Sequence, residues 1–327
     1  MIRSNGSYDA PAWLPGGHAQ TIYPVLIRRP RVSYRRQRID TPDGDFIDFD
    51  WVGQPTATAT TPVVALFHGL EGNSSSHYAL SLMAHLASIG WLGVVPHFRG
   101  CSGEPNRLPR AYHSGDHTEV AWMLATIRAQ APAAPLFVAG VSMGGSALIN
   151  WLGRAADGAA ALVNAAAAVS TPLDLAVAGF SIDQGLNRIY SRHFLRTLVP
   201  KARAMARRFP GTLDVGAIAR VDSMYSFDDA VTAPLHGFAG ADDYWSRASS
   251  KPWLKAVAAP TLVLNARNDP FIPAASLPDS DQVSSRITLE QPDDGGHVGF
   301  LHPPFPGRLN WLPQRLVTFF RAAGTGA

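Results

Sequence analysis

Three residues have the types and the setting to act together on a carbonyl: Ser142, Asp269 and His297. Ser142 stands in Gly140-Val141-Ser142-Met143-Gly144, a GxSxG pattern. The run Leu136-Phe137-Val138-Ala139 before it reads as a short buried strand, and Leu148, Ile149, Trp151 and Leu152 after it read as one helix face. A strand, an abrupt turn and a helix in that order lift a serine hydroxyl above the carboxyl edge of a sheet. The flanking glycines fit because a Cβ at either position would collide with neighbouring backbone. A serine hydroxyl is a weak nucleophile until a base takes its proton. His297, in the glycine-flanked loop Gly295-Gly296-His297-Val298-Gly299 after the apolar run Ile287 to Leu289, is the candidate base, with His302 as the fallback. Asp269, in the loop that follows Thr261 to Asn265, is the candidate for holding the imidazole in one tautomer. Asp242 and Asp243 compete for that role, but they fall in a helical, solvent-facing stretch.

The same chemistry needs amide donors for the oxyanion. The apolar run Val63 to Phe67 leads straight into His68-Gly69-Leu70-Glu71-Gly72, where glycine allows the backbone to turn toward a ligand. The backbone N–H groups of Leu70 and Met143 are the expected pair of donors. A serine, its base, an orienting acid and two donors together support acyl transfer from an ester through an acyl-enzyme.

The elements that must position these groups alternate as strand and helix through most of the chain. The arginine-rich run Arg28 to Arg38 reads in part as an exposed strand, and the turn Pro42-Asp43-Gly44 leads into a second strand, Phe46 to Val52, making a hairpin whose basic edge reads as solvated, with attraction to anionic lipid or nucleic acid as the alternative. Tyr78 to Ile89 reads as a helix, Leu92 to Val95 as a strand, and Arg99 braces the loop that follows. His113 and His117 have the spacing of a zinc pair on one helix face, yet no third ligand accompanies them, so no metal is expected. Ala160 to Ser170 reads as a buried strand. From about Thr171 to Ser250 the alternation stops in favour of helices, whose basic face reads as solvated, with contact with a lipid surface as the alternative. Pro11 to Gln20 reads as a surface wrap, with His18 a structural residue.

At 327 residues the chain has room for one large α/β domain with an insertion, or for two small domains. A formal charge of +3 with 16% charged residues gives no case for nucleic acid. The single cysteine, Cys101, excludes an intrachain disulfide framework and agrees with a reducing compartment. The opening residues 1–17 lack the apolar core of a secretory signal, and no apolar run is long enough to span a bilayer. A cytoplasmic protein without cofactor is expected.

The stretches GGHAQTI, TPDGDFIDFDW, HGLEGNSSS, HFRGCSG, GVSMGG, STPLDL, SFDDAVTAPLHGF, ADDYW, NARNDPFIP and GGHVGF run over nearly the whole chain. In them the sequence resembles the α/β-hydrolases, and within these the YheT-like branch of predicted esterases. The resemblance implies an α/β-hydrolase fold with a mostly parallel eight-stranded sheet and helices on both faces. Residues 1–170 and 251–327 would form the core, and 171–250 a helical lid inserted after the sixth strand. It implies a charge-relay triad at Ser142, Asp269 and His297 acting on carboxylic esters of short- to medium-chain acyl groups. Eukaryotic members often carry a membrane anchor and act on lipids; the expectation here is a chain without the anchor, with a small-molecule ester as its partner and no stable membrane insertion. The alternatives are an alcohol acyltransferase using the same acyl-enzyme and a non-catalytic small-molecule binder on the same fold.

Overall fold

Short apolar runs bounded by turns become the strands of one sheet. The structure is a computed structural model that describes residues 2–3, 8–56 and 59–324. Its strands are β1 (Ile2–Arg3), β2 (Arg35–Asp40), β3 (Phe46–Val52), β4 (Val63–Phe67), β5 (Leu92–Pro96), β6 (Leu136–Val141), β7 (Ala165–Val169), β8 (Thr261–Leu264) and β9 (Ile287–Glu290). They lie in the order β1-β9-β8-β7-β6-β4-β5-β3-β2. Eight of these are the expected strands, and β1 adds a ninth of only two residues at the edge, parallel to β9. The β2 and β3 pairings are antiparallel and all others are parallel.

The central strands β4, β6, β7 and β8 are buried along their whole length, as continuous apolar runs covered on both faces must be. Alternation along β4 shows the two layers. Val63, Ala65 and Phe67 pack with the helices His117–Gln130 and Met143–Ala155, while Val64 and Leu66 pack with His77–Ser88 and Trp311–Gly324.

Three local readings change. The strand read at Ala160 to Ser170 is shorter, because the alanine-rich stretch Asp157–Leu162 is helical and alanine is the strongest helix former. The basic hairpin edge is not simply solvated: Arg36 faces Asp50 and Arg38 faces Asp48 in register, each guanidinium holding a buried carboxylate at 2.7–2.8 Å. Pro11 to Gln20 does not merely wrap the surface, since Gly17–Leu26 forms a helix wedged against the loops after β8 and β9. Of the residues 1–17 read as lacking a signal core, 1 and 4–7 lie outside the described residues. Arg99 does brace its loop, buried among Asp43, Asp45 and Glu119.

Between β7 and β8 the chain leaves the sheet and forms helices Leu175–Ile182, Arg188–Arg208, Val215–Ala219, Met224–Phe227, Ala233–His236 and Ala241–Ala248. They gather around a cluster of their own that includes Leu195, Leu198, Ile218, Phe227 and Val231, and Leu70 and Phe271 of the sheet loops pack against it. No helix among the described residues is long and apolar enough to cross a membrane.

Candidate active site

Ser142 sits where β6 hands over to the helix Met143–Ala155, with φ 55 and ψ −123. A non-glycine residue held there is strained, and such strain persists only where the surroundings enforce it. Here they do: Ser142 N–H donates to Val169 at 2.8 Å, and its carbonyl accepts from Gly145 and Ser146. The closeness of helix and sheet accounts for the motif glycines. A Cβ on Gly140 would lie 2.6 Å from the Gly144 carbonyl oxygen, and one on Gly144 would lie 2.4 Å from that of His68.

The three residues read from the sequence meet in one hydrogen-bonded line. His297 Nε2 lies 3.0 Å from Ser142 Oγ, and His297 Nδ1 lies 2.8 Å from Asp269 Oδ2. The other carboxylate oxygen of Asp269 accepts from Phe271 N–H at 2.8 Å, so the acid is pinned at both oxygens. Asp269 is buried, and the Phe271 ring lies over the imidazole with centroids 4.2 Å apart. The competitors are elsewhere. Asp242 accepts from the Tyr225 hydroxyl and Asp243 pairs with Arg247, and the His302 ring turns to the Pro303 carbonyl.

Leu70 and Met143, read as the donors, line the same cavity as Ser142. Gly69 abuts the serine turn so closely that a Cβ on it would lie 3.2 Å from Ser142 Cβ. The amides on either side of Leu70 are taken: Gly69 N–H donates to the Tyr78 hydroxyl at 2.9 Å and Glu71 N–H to the Tyr112 hydroxyl at 2.8 Å. Leu70 N–H itself donates to no protein acceptor among the described residues. Met143 N–H opens a helix and has no intrahelical partner, at the end where the helix dipole favours negative charge. Glu71, with φ 55, sets the bend of this loop, and its carboxylate accepts from the Tyr112 hydroxyl at 3.0 Å and from Lys201 at 2.8 Å. His68 holds the loop from below. Its Nε2 accepts from Phe98 N–H at 3.1 Å, so Nδ1 carries the proton and donates to the Gly69 carbonyl at 2.8 Å, and burial pushes its pKa down to about 3.

Several positioning residues escaped the sequence reading. Thr21 Oγ1 accepts from His297 N–H at 2.9 Å, and Gln20 Oε1 accepts from Gly295 N–H at 2.8 Å and from Asn268 Nδ2 at 3.0 Å. Asn268 Oδ1 in turn accepts from Gly296 N–H at 2.9 Å. The helix Gly17–Leu26 therefore clamps the loops of Asp269 and His297 to each other. The only signal in the sequence was the block GGHAQTI, whose partners lie some 250 to 280 residues away, a separation that periodicity cannot bridge.

Ser142, Leu70, Met143 and His297 open onto a cavity of about 730 Å³ roofed by the helices between β7 and β8. Its lining is largely apolar, with Ile182, Phe194, Leu198, Met205 and Val231 among the side chains. The half-buried carboxyl of Asp228 faces it; loss of hydration raises its pKa to about 6, against the opposing pull of donors Thr232 Oγ1 at 2.6 Å and Trp245 Nε1 at 2.7 Å. His113 and His117 do not act as a pair: the His113 ring lies against that of His236, tilted to it, while the His117 ring turns to the Gly115 carbonyl. Among the described residues no group of three His, Cys, Asp or Glu is placed to hold a metal. His18 bonds to the Tyr190 hydroxyl at 3.0 Å, a structural contact.

A family profile described as "alpha/beta hydrolase fold" matches residues 62–304. The chain is 38% identical over 302 residues to YheT of Escherichia coli (strain K12), covering 91% of this chain and 88% of that protein. It is 30% identical over 324 residues to Phospholipase ABHD3 of Homo sapiens, covering 97% of this chain and 79% of that one. Among solved structures, Est1E from Butyrivibrio proteoclasticus with ferulic acid bound superposes with a TM-score of 0.56 at 15% identity, over 88% of this chain and 98% of that one, a likeness of fold alone. On its sheet order, its serine turn and these matches, the chain belongs to the α/β-hydrolase family, in the branch that contains YheT.

Proposed function

We propose that the protein is a carboxylesterase that hydrolyses esters of short- to medium-chain acyl groups through an acyl-enzyme on Ser142. The observation that carries this reading is the line Ser142 Oγ, His297, Asp269 beside two amides, Leu70 and Met143, that have no protein acceptor among the described residues. His297 Nε2 takes the hydroxyl proton as Oγ bonds to the ester carbonyl carbon. Asp269 accepts from Nδ1–H and stabilises the imidazolium. The carbonyl oxygen becomes an oxyanion between the two amides, the C–O bond to the alcohol breaks, and His297 gives its proton to the leaving oxygen. Water then enters by the same route in reverse and frees the acid. Losing one amide donor in such a site costs ~100- to 1000-fold in rate.

The apolar cavity of about 730 Å³ lies in the range of small-molecule sites and suits a short acyl chain. The helices of residues 171–250 act as its lid, with residues 1–170 and 251–327 as the core. The names of relatives support ester hydrolysis, since YheT is named an esterase and ABHD3 a phospholipase. The test is hydrolysis of chromogenic esters of graded acyl length. Ser142→Ala should lower kcat by roughly 10⁴- to 10⁶-fold, and activity that persists in that variant would exclude the mechanism.

A further inference from the structure

Two arginine-rich stretches, residues 10–39 and 184–213, contain no carboxylate side chain. The first carries six arginines and the second six arginines and a lysine. Far apart in sequence, they are joined in the fold where the His18 ring stacks on Tyr190 and bonds to its hydroxyl at 3.0 Å. Five of the nine large apolar side chains exposed among the described residues stand on these two stretches: Ile22, Val25, Leu26, Leu186 and Ile189, with Leu26 and Leu186 more than 70% exposed at 74% and 73%.

Arg188, Arg192 and Arg196 recur every fourth residue on the helix Arg188–Arg208, so they form one exposed stripe next to Leu186 and Ile189. None of the three has an ion-pair partner among the described residues, in contrast to Arg36 and Arg38 of the hairpin. The inner side of the same helix lines the cavity through Phe194 and Leu198, and its Tyr190 packs on Phe271, the ring that covers His297.

We propose that this outer face docks the protein on an anionic lipid bilayer, the aliphatic side chains entering the headgroup boundary and the arginines meeting lipid phosphates. Aliphatic side chains ringed by unpaired cations fit such a surface from both sides, through apolar burial and charge. A nucleic acid would use the charge and leave the leucines and isoleucines in water. Docking there would set the cavity wall against the membrane and leave the sheet in solvent.

Co-sedimentation with phosphatidylcholine vesicles, with and without phosphatidylglycerol, tests the surface directly. The protein should bind the anionic vesicles, and less so in high salt. The triple variant Arg188→Glu, Arg192→Glu, Arg196→Glu should bind on the order of 100-fold more weakly, about fivefold per arginine, and Leu186→Ser with Ile189→Ser should weaken binding as well. Thermal melting and turnover of a water-soluble ester should match wild type in both variants, so loss of docking is read independently of esterase activity. Four results would overturn the proposal: no binding to anionic vesicles, equal binding without phosphatidylglycerol, binding that survives both variants, or tighter binding to duplex DNA than to vesicles.

Discussion

At the scale of single residues, the candidate site depends on amides as much as on side chains. The bend that aims Leu70 N–H is held by a two-way bond with Tyr112, whose hydroxyl accepts from Glu71 N–H and donates to the Glu71 carboxylate. Tyr112→Phe leaves the ring in its stack with Phe98 but removes both bonds. The freed amide then has no fixed orientation. The expected result is a fall in kcat of about tenfold with KM nearly unchanged, since only an interaction made in the transition state is lost. Steady-state kinetics on one soluble ester would check it; a rise in KM at constant kcat would show instead that Tyr112 helps to bind the ground state.

At the scale of elements, the helix Gly17–Leu26 is as important to the site as the strands are. Thr21 and Gln20 are buried and bond to the backbone of the His297 loop, and Gln20 also bonds to Asn268 beside Asp269. Thr21→Val keeps the shape and leaves His297 N–H without a partner, a loss of about 1–3 kcal/mol for an unsatisfied buried donor. The melting temperature should fall and kcat should drop about tenfold or more, whereas an exposed neighbour such as Ala12→Ser should change neither. Melting curves and kinetics on the two variants decide this; unchanged kcat in Thr21→Val would show that the loop holds its shape without the helix. The element boundaries were legible wherever one period ruled, as in β4, β6 and the helix after Ser142. They were not legible at Asp157–Leu162, where alanine suits either a helix or a buried strand, or at Gly17–Leu26, where Gly16, Gly17 and Pro24 look like loop punctuation although the chain is helical.

At the scale of the whole molecule, stability should respond to acid in two steps. Burial lowers the pKa values of His113 and His236, the latter to about 3. The unfolded chain then binds more protons below the usual histidine pKa of about 6.5, and this stability is lost as pH falls from there toward the folded values. Asp228 acts in the opposite sense. Burial raises its pKa to about 6, so its contribution is present below the unfolded value of about 3.9 and is lost as pH rises through 6. Burial also lowers His68 to about 3 and His77 to about 4, so the histidines outweigh the raised carboxyls of Asp228 and Glu119 between about pH 4 and 6.5, and the melting temperature should fall gently as pH drops through that range. Below about pH 4 the hairpin network gives way. Burial pushes the Asp50 carboxyl up, but hydrogen bonds from Arg36, His97 and Ser74 more than reverse this and leave it far below the ordinary range; Asp48 is lowered likewise, with Arg38 the main opposing donor. Stability from such depressed carboxylates is present above their unfolded pKa and lost as pH falls through the folded one. Melting curves across this range should show a shallow limb and then a steep fall; a flat profile down to pH 3 would count against the network.

The sequence by itself determined the strand, turn and helix around Ser142, the strands of the sheet, and the three side chains that now lie in one line. These depend on local steric rules and on hydrophobic period, which a run of adjacent residues states openly. Only the tertiary structure decided which amides stay unpaired beside Ser142, which helix clamps the His297 loop, and that two arginine-rich segments meet where His18 packs on Tyr190. Those are contacts between residues tens to hundreds of positions apart, and their partners are selected by packing in space, for which no spacing along the chain is a sign.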